Sequence, residues 1–201
     1  HHILCSINNN FFTNYKNSIG VIYIVRDPRN VITSLKHHYS FKSYDDALEF
    51  MLDKNRFSGK MGNKNTYTRE TEFPTYISNW SNHYTAWKNF KKNYLLIRYE
   101  DLIKNPDNKF NEISKYLCKL LKFKIDKKNI QKAILNSSFK NLKQSEEKFG
   151  FDEAPPDQIT NEKKKFFNLG PDNDWETHLP NNIRKEIEIN FMKEMKELNY
   201  L

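Results

Sequence analysis

The chain has 201 residues, a formal net charge of +8, and 37% hydrophobic and 14% aromatic residues, which fits one domain with an aromatic-weighted core. No apolar run approaches the roughly 18 residues of a membrane span, and the opening HHILCSINNNFFTNYKN has neither the basic nor the apolar region of a signal peptide. The excess positive charge fits an anionic partner, but 27 of the 33 basic residues are Lys scattered among Asn, with no RNP, zinc-finger or basic-zipper signature, so no nucleic acid is expected.

Residues 20–26 (GVIYIVR) read as a short buried strand, β-branched and bounded by Gly20 and Pro28. Asp27 is a good N-cap and Pro28 a good first helical residue, which predicts a helix over 28–39. A second helix fits 43–55, capped by Ser43, with Ala47, Leu48, Met51 and Leu52 on one face. Residues 57–74 read as a loop, and 75–90 as an amphipathic helix carrying Ile77, Trp80, Tyr84 and Trp87. YLLIRYED, 94–101, is a second buried strand, followed by helices over 107–121, 127–136 and 138–148. A Pro- and charge-rich loop leads to FFNLGPDNDW, 166–175, and a helix over 181–198 closes the chain. Strands separated by helices predict an α/β fold with a parallel sheet flanked by helices, and a single domain over 1–201. Cys5 and Cys118 are too few and too far apart for a disulfide framework or a metal cluster. They read as buried free thiols in a reducing compartment, and the expected location is cytoplasmic.

In parallel sheets ligands bind beyond the carboxyl ends of the strands. Both buried strands turn polar there, with Arg26-Asp27 on one and Tyr99-Glu100-Asp101 on the other. An arbitrary Arg most often makes a surface ion pair, here with Asp27. Arg26, however, stands beside a helix N-terminus whose free N–H groups favour an anion, and its fork suits phosphate. Ser34 shares a helix face with Asp27 and Val31 and can add a hydroxyl to the same phosphate.

These segments resemble the sulfotransferase family. IYIVRDPRNVITS resembles the stretch that binds the 3′-phosphate of the donor 3′-phosphoadenylyl sulfate (PAPS), and YLLIRYEDLIKNP resembles the later YED segment. NSSFKNLK resembles the T/S-S-F-x-x-M/L stretch near the adenine, and FFNLGPDNDW the closing F-x-R-K/x-G-x-x-G-x-W segment, with Phe166, Gly170 and Trp175 in register. The resemblance implies a P-loop NTPase-like sulfotransferase fold in which Arg26 and Ser34 hold the 3′-phosphate and Tyr99 approaches the adenosine. It places Ser137, Ser138, Phe139, Leu142, Phe166 and Gly170 in the same cofactor site. It implies transfer of a sulfuryl group from PAPS to a small-molecule hydroxyl or amine, with adenosine 3′,5′-bisphosphate as product and without a metal. His1 then follows a Lys-Thr and serves as general base, a role suited to its near-neutral pKa; two terminal histidines also fit the end of an affinity tag.

Two departures accompany the resemblance. The P-K-x-G-T-T-W loop that neutralises the 5′-phosphosulfate does not occur in the 201 residues, nor does the chain begin with Met. The expectation is therefore a fragment lacking its first strand and donor loop, and inactive alone. Asn168 stands where the pattern has Arg, and Lys163 to Lys165 are candidates to compensate. The alternatives are an inactive nucleotide-binding or scaffolding domain of the same fold, a P-loop kinase, and a basic RNA-binding protein.

Overall fold

The computed structural model describes residues 5–7, 10–58, 75–155 and 162–201. In chain order the elements are β1 (Ser6–Ile7), β2 (Asn10–Phe11), β3 (Val21–Val25), α1 (Pro28–His38), α2 (Tyr44–Leu52), β4 (Phe57–Ser58), β5 (Thr75–Tyr76), α3 (Trp80–Lys88) and β6 (Tyr94–Arg98). Helices α4 (Tyr99–Lys104), α5 (Pro106–Leu121), α6 (Lys127–Asn136) and α7 (Phe139–Phe149) follow. A 3-10 turn (Gly170–Asp172) precedes α8 (Trp175–His178), α9 (Asn181–Asn190) and α10 (Met192–Glu197).

The expected α/β architecture is present: β3 and β6 pair in parallel, from Val21 opposite Tyr94 to Val25 opposite Arg98, with helices around them. The crossover from β3 to β6 runs through α1, α2 and α3, as a parallel pair requires. One face of the pair, carrying Tyr23, Val25 and Leu96, packs into a core with Ile32, Met51, Tyr84, Ile183, Ile187, Phe191 and Met195. The strand expected to be wholly buried is not. Strand alternation turns Ile24 to the opposite face, where it is 53% exposed.

Three further boundaries move, each for a local reason. The aromatic helix starts at Trp80 and not at 75, because Thr75 and Tyr76 pair with Ser58 and Phe57. Ser78 then takes a left-handed φ of 64°, and Asn79 caps the helix through the Asn82 N–H. The YED tripeptide does not end a strand: Tyr99 opens α4, with Glu100 and Asp101 in its first turn, where acids favour the helix dipole. The closing helix breaks at Phe191, whose φ of −117° and ψ of 15° separate α9 from α10. Of the two thiols only Cys5 is buried; Cys118 is intermediate, and both are free. Most of the 57–74 loop lies outside the described residues.

Candidate functional site

The parallel register sets the site. With Val25 opposite Arg98, Arg26 and Tyr99 emerge side by side from the carboxyl ends of β3 and β6. The Arg26 guanidinium lies 4.6 Å above the Tyr99 ring, and its Nη1 donates to Ser34 Oγ at 3.3 Å. Arg26 Nε is buried and has no hydrogen-bond partner among the described residues. Arg56, Arg98 and Arg184 share an unpartnered buried Nε, so what sets Arg26 apart is its place at the strand end against Ser34 and Tyr99.

The turn that carries Arg26 is pinned from three sides. Trp80 Nε1 donates to the Arg26 carbonyl at 3.2 Å. Glu100 Oε1 accepts the Asp27 N–H at 2.9 Å, and Glu100 Oε2 accepts the Tyr200 hydroxyl at 2.9 Å. Burial and the neighbouring Glu100 charge push the Tyr200 phenol up, which keeps it a donor. Asp27 caps α1 and forms a buried ion pair with Arg29 at 2.7 Å. Arg29 also donates to the Tyr200 carbonyl at 2.7 Å and stacks 4.0 Å over Trp175. Sequence reasoning missed Trp80, Glu100 and Tyr200 as supports, because each acts through a contact more than 50 residues away in the chain.

The closing segment docks on α1. Glu146 accepts the N–H groups of Phe166 at 2.6 Å and Phe167 at 3.0 Å. His37 meets the Lys165 carbonyl at 2.9 Å, so His37 is an interface residue. Trp175 N–H donates to Asn30 Oδ1 at 2.9 Å. Gly170 has a φ of +57°, and a Cβ there would run into the Phe139 ring. Phe139 and Gly170 are thus brought together, while Leu142 is half-buried on α7. Phe166 lies at the far end of α1, its ring centroid 6.2 Å from that of His38.

Other expected residues are placed less directly. Ser137 Oγ donates back to the Ala133 carbonyl at 2.7 Å, and Ser138 caps α7, so both hydroxyls serve helix ends. Asn168 is exposed. The three candidate lysines are engaged elsewhere: Lys163 with Phe151 O, Lys164 with Ser40 Oγ, Lys165 with Glu147. His1 lies outside the described residues.

Fold and strand ends together define an α/β protein in which Arg26, Ser34 and Tyr99 meet beyond the strand ends; the α1 N-terminus expected to offer free N–H groups is instead closed by Asp27, whose carboxylate accepts the Arg29 N–H. The family model described as Sulfotransferase domain matches residues 7–199, and the chain belongs to that family. It is 25% identical over 174 residues to Sulfotransferase 2A1 of Macaca fascicularis, covering 82% of this chain and 52% of the relative. It is 27% identical over 167 residues to 3-beta-hydroxysteroid sulfotransferase of Cavia porcellus, with the same 82% and 52% coverage. The chain thus spans about half the length of the curated relatives it matches. Among solved structures, mouse sulfotransferase SULT7A1 complexed with PAP superposes with a TM-score of 0.60 at 20% identity, covering 88% of this chain and 58% of that one. Retinol dehydratase in complex with androsterone and inactive cofactor PAP gives 0.60 at 18% identity, covering 96% and 51%. These likenesses show the fold. No helix among the described residues is long and apolar enough to cross a membrane.

Proposed function

We propose that residues 1–201 form one sulfotransferase domain that holds the 3′-phosphate and adenosine of PAPS and serves sulfuryl transfer to a small-molecule hydroxyl or amine. The observation that carries the reading is the set at the carboxyl ends of β3 and β6. Arg26 offers a guanidinium with a buried, unpartnered Nε, and Ser34 lies within hydrogen-bond reach of it. A donor-rich pair that carries the Arg26 charge fits a phosphate dianion. Both PAP-bound neighbours share this fold, and PAP is adenosine 3′,5′-bisphosphate.

In this reading bound PAPS supplies the activated sulfuryl group. Arg26 and Ser34 orient the nucleotide through its 3′-phosphate, and Tyr99, held under Arg26, flanks the adenosine. Phe139, packed against Gly170, offers an aromatic face for the adenine, with Leu142 on the same helix; the Ser137 and Ser138 hydroxyls stay engaged at helix ends. His1 takes the proton of the acceptor. The residues contribute mainly positioning and charge neutralisation. Residues 1–201 contain no P-K-x-G-T-T-W stretch, so this polypeptide by itself is expected to bind the product nucleotide without turning over PAPS. The inactive, nucleotide-binding alternative is favoured by Asn168, exposed in place of an Arg and without a lysine substitute at the Arg26 site.

Calorimetric titration tests the reading. Adenosine 3′,5′-bisphosphate should bind at least tenfold more tightly than adenosine 5′-monophosphate, about 1.4 kcal/mol or more. Salt-sensitive binding to many polynucleotides without that preference would instead mark an RNA-binding protein.

A further inference from the structure

Asn173 is 6% exposed and stands where the closing pattern F-x-R-K/x-G-x-x-G-x-W has its second glycine. Its side chain is wedged against α1. One amide nitrogen donates to Asn30 O at 3.0 Å and to Ser34 Oγ at 3.1 Å, and its Oδ1 accepts the Thr33 hydroxyl at 2.6 Å. The amide orientation follows from chemistry: Asn30 O only accepts, so the Asn173 atom facing it must be the nitrogen.

A proton inventory at Ser34 follows. Its oxygen receives a hydrogen from Arg26 Nη1 at 3.3 Å and another from Asn173 Nδ2 at 3.1 Å. Both neighbours are donors only at these atoms, so the single Ser34 proton must point elsewhere. In the absence of a ligand it reaches Asn30 O at 3.4 Å, a long contact to a carbonyl that already accepts from Asn173. That proton is easily released to a better acceptor. Ser34 itself is exposed.

We infer that Asn173 is a positioning residue for the 3′-phosphate: it fixes Ser34 as a hydrogen-bond donor toward the ligand. The inference rests on the proposed nucleotide site.

The test compares adenosine 3′,5′-bisphosphate with adenosine 5′-monophosphate by calorimetry in three variants of the chain. Asn173→Ala should weaken the bisphosphate about three- to tenfold and leave the monophosphate unchanged. Asn173→Asp keeps the Thr33 contact but sets an oxygen against the Asn30 carbonyl, so its melting temperature is read alongside to separate loss of docking from loss at Ser34. Its second oxygen draws the Ser34 proton away from the ligand and adds a like charge, and the loss should exceed about tenfold. In a Ser34→Ala background, Asn173→Ala should cost the bisphosphate nothing further, which is the signature of action through Ser34. Equal weakening of both nucleotides, or full additivity with Ser34→Ala, would make Asn173 a docking contact only and overturn the inference. A wild-type chain that does not distinguish the two nucleotides would overturn the site reading itself, and the inference with it.

Discussion

Replacing Arg29 by Met tests the claim that the β3–α1 turn is held by a buried charge network. Arg29 is 6% exposed and Asp27 5%. The guanidinium contacts Asp27 at 2.7 Å, Glu188 at 2.9 Å and the Tyr200 carbonyl at 2.7 Å. Burial pulls the Arg29 pKa down, but the hydrogen bonds and charges of Asp27 and Glu188 outweigh it, and the net shift is upward. Met preserves the apolar stem and removes every polar contact, leaving the Asp27 carboxylate buried with only the Arg29 backbone N–H. Breaking a buried pair by removing one partner costs about 3–5 kcal/mol. Glu188 is partly exposed and is rehydrated, so the lower end, about 3 kcal/mol, is expected. In a chain of this size that lowers the melting temperature by roughly 6–12 °C. Urea unfolding monitored by tryptophan fluorescence measures it directly. A loss below about 1 kcal/mol, the value of a surface salt bridge, would refute the network's role.

Three other outcomes follow from local geometry. Gly170→Ala forces a side chain into a left-handed φ and into the Phe139 ring, and should cost about 2 kcal/mol or more; an unchanged thermal melt would mean that the contact yields freely. Hydrogen bonds from Lys88 and Tyr84 hold the Glu197 carboxyl below its ordinary 4.5. Its stabilising contribution is therefore complete above that value and lost as pH falls through the depressed one, so Glu197→Gln should lower stability at neutral pH and flatten the acid limb of a stability profile. Asn168→Arg should tighten adenosine 3′,5′-bisphosphate binding about tenfold, with a gain that shrinks as salt rises and is absent for the monophosphate.

Local signals carried much of this architecture into the sequence. Gly20, Pro28 and the β-branched run between them mark β3, and the Asp27-Pro28 pair marks the start of α1. Arg26 and Ser34 are legible because both lie on one strand–helix unit, where spacing fixes proximity. The supports are not legible in that way. Glu100 meets Asp27, Asn173 meets Ser34, and Tyr200 meets Glu100 only after parallel pairing and docking of the closing segment. The helix start at Trp80 was hidden for a similar reason: Thr75 and Tyr76 are diverted by pairing with residues 57–58. An apolar period of three to four continues through Ile77 regardless. At Ser137 and Ser138 the motif is readable, but a motif does not reveal that the hydroxyls are spent on helix ends.

The most direct test of the account is the affinity of Arg26→Ala for adenosine 3′,5′-bisphosphate, measured by calorimetry alongside the melting temperature. Arg26 is stacked on Tyr99 and, among the described residues, its side chain makes one hydrogen bond, to Ser34, so its removal should spare the structure. Losing a charge-assisted contact of about 1.5–3 kcal/mol predicts a tenfold to hundredfold weaker complex, with adenosine 5′-monophosphate little affected. Unchanged affinity for the bisphosphate in a folded variant would contradict the assignment of Arg26 to the 3′-phosphate.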